Sequence, residues 1–358
     1  MEEELILAIN PGSTSTKIAV FRGNREMFLK SIKHSFEELS QFARISDQYG
    51  FRKNVILHEL QIAGIEINNI ILVVGRGGLV KPIPSGVYEV NEALIEDLKA
   101  GVQGQHASNL GGLIAHDIAS GIPGARAFIA DPVVVDELDD IARVSGHPLF
   151  ERVSIFHALN QKAIARQHAK SISKSYEELR LIIVHLGGGI SVGAHQYGRV
   201  IDVNQALDGD GPFSPERSGT LPAGALVKMC FSGDYTQDEI KKMITGKGGY
   251  VAYLGTNEAY EVEKRAAAGD EDAELIQNAL AYQVAKEVGA MSTVLKGAVD
   301  AILLTGGIAY GKPFVNLLSE RIAHIAPIFV YPGEDEMRAL ATNGLMVLKG
   351  ETEARVYR

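Results

Sequence analysis

Eight consecutive residues near the amino end, Asn10-Pro11-Gly12-Ser13-Thr14-Ser15-Thr16-Lys17, set hydroxyls, a carboxamide and an ammonium group around one glycine. Gly12 lets the backbone approach a ligand closely, and the amides of a tight turn form a nest for an anion. Such a cluster suits phosphate oxygens. A Gly-Ser-Thr turn taken alone is more often an ordinary polar hairpin. Its place after an apolar run, with Lys17 following, moves the balance toward phosphate. Gly187-Gly188-Gly189-Ile190-Ser191 occupies the equivalent place in the second half. It reads either as a flexible hairpin or as a second phosphate cradle, on the nucleotide side. Gly306-Gly307, between an apolar strand and a helix, is a third such place, where backbone can lie against adenosine phosphates.

Two nucleotide fingerprints fail here. After Gly187 and Gly189 the dinucleotide pattern needs a glycine at 192, where Val192 stands, and a strand rather than a helix follows. Gly306 to Gly311-Lys312 resembles a P-loop until Pro313 replaces the hydroxyl that would hold Mg²⁺. A dehydrogenase is thereby set aside.

Arg76 lies among glycines at a strand end, and Arg217 lies in a loop without apolar periodicity. Arginine at such places offers bidentate contacts to carboxylate or phosphate, although most loop arginines are merely solvated. Asp131 closes a third strand, where it can orient water on a magnesium ion or cap the segment after Pro132. His157 opens a helix, and spacing alone favours a structural histidine. The histidines show no HExxH or Cys/His spacing, which argues against structural zinc.

Positioning these residues takes more than one ordinary core, and 358 residues predict two domains. Apolar runs at Leu5–Ile9, Ile70–Val74, Arg126–Ala130, Leu181–His185 and Ala301–Thr305 read as buried strands. Helical spacing covers Phe36–Ile65 with a break at Gly50, then 91–99, 107–119, a long helix from about Ile155, 258–268, 270–296, 313–325 and 336–348. Strand, glycine turn, strand occurs twice about half a chain apart, which predicts a duplicated α/β domain and a cleft between the two glycine turns. The net charge of −9 argues against a nucleic-acid or anionic-membrane partner. No apolar run approaches the roughly 20 residues that span a bilayer. The acidic start Met1-Glu2-Glu3-Glu4 is unlike a leader, and Cys230, the only cysteine, excludes an internal disulfide; both fit a cytoplasmic protein.

The Asn10–Lys17 stretch resembles the first signature of the acetokinase family, and His185-Leu186-Gly187-Gly188-Gly189-Ile190-Ser191 resembles its second phosphate loop. The likeness runs in order over nearly the whole chain. Arg76-Gly77-Gly78, Asp131 to Glu137, Phe156 to Lys162 and Asp208 to Phe213 resemble the butyrate kinase branch. Acetate kinases differ at the arginine segment, the second glycine loop and the histidine motif.

The resemblance implies the sugar-kinase, heat-shock-protein-70 and actin fold: two duplicated actin-like (ribonuclease H-like) domains around a nucleotide cleft. One would comprise 1–150 plus 337–358 and bind the acyl and phosphate groups; the other, 151–336, would bind nucleotide. It implies phosphoryl transfer from ATP, with Mg²⁺, to butyrate or a branched short-chain acid, in a homo-oligomer of two or more chains. Asn10, Arg76, Asp131, His157 and Arg217 would form the catalytic set. Gly12, Ser13, Ser15, Lys17, His185, Gly187, Gly188, Gly189, Gly306 and Gly307 would bind phosphate and nucleotide. His106, Gly78 and Phe156 would meet the acyl substrate, and Glu336 the metal, with Glu334 and Asp335 crowding the same turn. Gly77 and Gly78 would leave room for methylenes where acetate kinases place a valine. Acetate or propionate kinase of the same family is the nearest alternative; a non-catalytic ATP-dependent protein of actin fold is the more distant one.

Overall fold

The computed structural model describes residues 4–358, so the leader reading of Met1–Glu3 lies outside the described residues. The chain divides into two compact units, Met1–Val135 with Asp335–Arg358, and Asp136–Glu334. The boundaries precede the expected 150 and 336, so Glu336 belongs to the first unit.

The strands of the first unit are β1 (Leu5–Pro11), β2 (Ser15–Arg22), β3 (Arg25–Lys33), β4 (Ile70–Arg76), β5 (Val87–Glu89) and β6 (Arg126–Ala130). Those of the second are β7 (Arg180–Leu186), β8 (Ile190–Gln196), β9 (Arg199–Val203), β10 (Ala301–Gly306) and β11 (Ile328–Pro332). β12 (Arg355–Val356) completes the first sheet, whose order is β12-β5-β6-β4-β1-β2-β3; the second runs β11-β10-β7-β8-β9. Both contain the same arrangement. Three antiparallel strands form a meander, and two further strands lie parallel to the first of them. The duplication read from the glycine turns therefore extends over five strands of each sheet.

Continuous apolar runs form these strands because both faces are covered. In β1, Leu7 and Ile9 pack with Leu110 and Ile114 of helix Asn109–Ser120. The opposite face, with Ile6, Leu72 and Val74, lies under Gly344 of helix Glu336–Leu348. Small residues bring helix and strand together: a Cβ on Gly75 would sit 2.2 Å from the Gly111 carbonyl oxygen. In the second unit, Ile182 and Val184 pack with helix Glu271–Val294, while Leu181 and Ile183 pack with helix Ala158–Ser171.

Gly50 does not break the first helical region. It lies inside helix Tyr49–Ile62, and the interruption falls earlier, between Leu39 and Ile45. The stretch after Arg217 carries short helices 223–230, 237–244 and 249–254 that the sequence reading left unassigned. Among the described residues no helix is long and apolar enough to cross a membrane.

Candidate active site

In the first unit, parallel pairing sets Ile9 against Gly75, so Asn10 and Arg76 leave the carboxyl ends of β1 and β4 side by side. That is where open α/β sheets place ligands. Helix Glu336–Leu348 brings its first residue to the same spot. Arg76 Nη1 lies 3.1 Å from Glu336 Oε1 and donates to Asn10 Oδ1 at 3.3 Å. Asn10 Nδ2 also donates to Glu336 Oε2. Asp335 caps the helix through the Arg338 amide at 3.0 Å and pairs with Arg338 at 2.9 Å. Glu334 belongs to the second unit, 3.6 Å from His185 Nε2. Of the three crowded carboxylates, Glu336 is the one that joins Asn10 and Arg76.

Lys17 stands opposite Asn10 in the β1–β2 ladder and is exposed. Between these strands, Gly12, Ser13 and Thr14 form the turn, and Ser15 opens β2. Arg52, 1% exposed, lies beneath it. Its guanidinium donates to the carbonyl oxygens of Gly12 (2.8 Å), Ser15 (3.0 Å) and Ser13 (3.1 Å), and to Gln48 Oε1 (2.8 Å). Burial pulls the Arg52 pKa down to about 10, so it stays cationic at neutral pH. Nothing in the sequence reading singled out Arg52. The signal lay in the helix, whose buried residues are Arg52, Ile56 and Leu60, an arginine in the first place of an apolar stripe.

Asp131, 1% exposed, has a positive φ of 38° at the end of β6. Its Oδ1 accepts from the Gly86 amide at 2.8 Å, so it braces a neighbouring turn. A non-glycine residue in this backbone region is strained, as ligand sites often are. His106 is exposed, with Nδ1 2.8 Å from Ser108 Oγ. Gly78 is closely packed. A Cβ there would lie 2.5 Å from Asn109 Oδ1 and 2.8 Å from Leu98 Cδ2, and one at Gly77 2.5 Å from Pro132 Cβ. These glycines let the protein's own atoms pack closely.

In the second unit the equivalent pairing sets His185 of β7 against Thr305 of β10, bringing Gly187–Gly189 and Gly306–Gly307 to one sheet end. The His185 and His157 rings stack, with centroids 3.8 Å apart and planes within 11°. His185 Nδ1 lies 2.9 Å from Asn160 Oδ1. His157 precedes helix Ala158–Ser171, and its Nδ1 lies 2.9 Å from Ser191 Oγ. Phe156 is buried, 2% exposed. The Arg217 guanidinium donates to the Ala206 carbonyl and lies against Gly189, where a Cβ would meet Arg217 Nη1 at 2.1 Å. Burial lowers its pKa. Gly306–Gly307 does not open the following helix directly: a short 3₁₀ turn, Gly307–Tyr310, intervenes before helix Lys312–Ile322.

The glycines of the candidate loops divide in two. At Gly306, with positive φ, a Cβ would collide with the Leu186 backbone, so the fold itself requires glycine there, while at Gly187 and Gly189 it would meet the side-chain ends of His185 and Arg217. At Gly12, Gly188 and Gly307 the nearest protein atoms are 3.5 Å away, 3.7 Å away and beyond 4 Å. The fold does not demand glycine at these three, which suits places kept bare for a ligand.

Two sheets that share a five-strand arrangement, each with a glycine loop at one end, define an actin-like α/β protein. Solved structures share this fold. An acetate kinase of Porphyromonas gingivalis superposes with TM-score 0.79 at 18% identity, over 96% of this chain and 100% of that one. A propionate kinase of Francisella tularensis gives 0.75 at 19% identity, over 95% and 98%. In sequence, the acetokinase family profile matches residues 151–329. Butyrate kinases 1 and 2 of Clostridium acetobutylicum are each 57% identical over 353 residues, 99% of either chain. The chain belongs to the acetokinase family.

Proposed function

We propose that the chain transfers the terminal phosphoryl group of ATP to the carboxylate of butyrate, forming butyryl phosphate and ADP reversibly. The observation that carries this reading is 57% identity to two butyrate kinases over 99% of both chains, since one fold hosts many chemistries. A butyrate oxygen attacks the γ-phosphorus. The bond from that phosphorus to the β,γ-bridging oxygen breaks, and its electron pair leaves with ADP. The carboxylate is already ionised near neutral pH, so no general base is required. Both reactants are anions, and the protein's task is alignment and positive charge.

Arg76 and Arg217 meet that task as planar cations suited to carboxylate and phosphoryl oxygens. Arg76 rests on Glu336 and Asn10, partners that an incoming anion can displace. His157 donates to the equatorial oxygens of the moving group. The bare glycines 188 and 307 approach the nucleotide, and the Gly12 turn with Lys17 approaches phosphate. Asp131 and Glu336 offer the hard oxygens that Mg²⁺ takes, and we assign them to holding it through water. Among the described residues no three or more His, Cys, Asp or Glu gather as a metal site. When bound, Mg²⁺ would supply positive charge that offsets the charge of the phosphates.

The test is ADP release with ATP, Mg²⁺ and a panel of straight and branched acids of two to six carbons. Butyrate is expected to give a kcat/KM at least several-fold above acetate. Absence of acid-dependent ADP release would sink the proposal, and a preference for acetate would move the chain to the alternative acceptor.

A further inference from the structure

Behind His157 lies a chain of buried polar groups that the reaction scheme does not use. We propose that Tyr176, His195, Gln161 and Ser191 are positioning residues that hold the proton of His157 on Nε2, leaving Nδ1 as an acceptor. This rests on the reading of His157 as a donor to the moving phosphoryl group.

The proton positions follow one from another. Gln161 Nε2 lies 3.1 Å from the Ser191 carbonyl oxygen. A carbonyl only accepts, so the amide nitrogen must face Ser191, and Gln161 Oε1 must face the other way. Oε1 lies 2.8 Å from His195 Nε2, which therefore carries hydrogen. His195 is fully buried, and burial first, then the charge of Lys162, hold its pKa well below the usual histidine value. A neutral ring protonated on Nε2 accepts on Nδ1, and the Tyr176 hydroxyl, 2.6 Å away, donates there.

The near end is fixed in the same way. Gln161 Nε2 also donates to Ser191 Oγ at 2.8 Å, and the His157 amide approaches the same oxygen at 3.5 Å. Donors thus occupy the lone pairs of the serine oxygen, and its own hydrogen has His157 Nδ1 as acceptor at 2.9 Å. A ring that accepts on Nδ1 carries its proton on Nε2 when neutral. The direction of every bond is thus set by the Ser191 carbonyl. Helix 158–171 makes this possible by turning Gln161 and Lys162 inward. Lys162 Nζ is held by Glu137 at 2.6 Å and the Gly198 carbonyl at 2.7 Å, so its charge is satisfied beside His195.

The test is nitrogen-15 NMR of histidine-labelled full-length protein, with His157 assigned from a His157→Gln spectrum. In the wild type, His157 is expected as the Nε2–H form. In Ser191→Ala the Nδ1–H form should appear, with kcat down about tenfold or more while KM for ATP and butyrate stays within about twofold, the range seen when a partner orienting a functional histidine is lost. Ser191→Thr keeps the hydroxyl and should restore both readouts. A wild-type His157 in the Nδ1–H form overturns the inference, as does an unchanged tautomer in a folded Ser191→Ala protein. Should that variant fail to fold, the wild-type spectrum alone decides. Failure of the proposed function shows separately, as a wild type without acid-dependent ADP release.

Discussion

Nη1 of Arg52 donates to the carbonyl oxygen of Gly12 at 2.8 Å, a contact that joins a helix to the turn between β1 and β2. With the Ser13 and Ser15 carbonyls held by the same guanidinium, the turn's oxygens point inward toward a cation. Lysine cannot reproduce this planar fork. Arg52→Lys should keep the fold but lower its stability by about 2 kcal/mol and kcat/KM by about tenfold or more. Urea unfolding and steady-state rates measure the two effects; a variant matching the wild type in both would show that the turn holds its shape unaided.

Neighbouring glycines should behave oppositely. Gly306 has φ +91° and its missing Cβ would lie 2.3 Å from the Leu186 carbonyl oxygen, whereas Gly307 faces no protein atom within 4 Å. Gly306→Ala should unfold the second unit or cost it about 3 kcal/mol. Gly307→Ala should melt like the wild type but bind ATP several-fold more weakly. Equal ATP affinity in Gly307→Ala would remove that residue from the nucleotide site.

For Gly78 the packing against Asn109 and Leu98 predicts damage to the fold, not a change of acceptor. Gly78→Val should destabilise by about 2 kcal/mol or more through overpacking. Whatever protein remains folded should keep its ratio of butyrate to acetate activity. A stable variant with selectively lost butyrate activity would restore the acyl reading of this position.

Glu287, on helix 271–294, has its pKa raised from 4.5 to about 7, first by burial and then by the charge of Asp210, with Asp202 adding and Arg152 and Lys286 opposing. The folded chain keeps a proton that the unfolded chain releases above about pH 4.5. Stability from this group is therefore greatest at acid pH and declines between 4.5 and 7, by up to about 3 kcal/mol. Glu287→Gln should flatten that decline in urea melts taken from pH 4.5 to 8. Parallel pH curves for the two proteins would show that Glu287 ionises normally.

Much of this architecture was legible because apolar runs and glycine punctuation are local signals. Helix Glu336–Leu348 and strand Arg126–Ala130 fall where the sequence pattern puts them. The family resemblance grouped Asn10, Arg76 and Glu336, but their direct contacts were not readable, because these depend on strand register and on a helix from the far end of the chain. Arg52 and Gln161 escaped for a different reason. A polar residue on a buried helix face looks like a solvated one until its neighbours are known. Gly78 could be read two ways because glycine signals close approach without saying whether a ligand or the protein approaches.

The contact between Asn10 and Glu336 joins residues 326 positions apart. At ribosomal rates of roughly 5–20 residues per second, Asn10 is made on the order of half a minute before its partner. Throughout that interval the face of the first sheet bearing Ile6, Leu72 and Val74 lacks its covering helix, and by its end the second unit is fully synthesised. The nascent chain thus completes its later half first and must shield an apolar surface until its final segment arrives. A chain released before Asp335 would carry a finished second unit beside a permanently uncovered sheet.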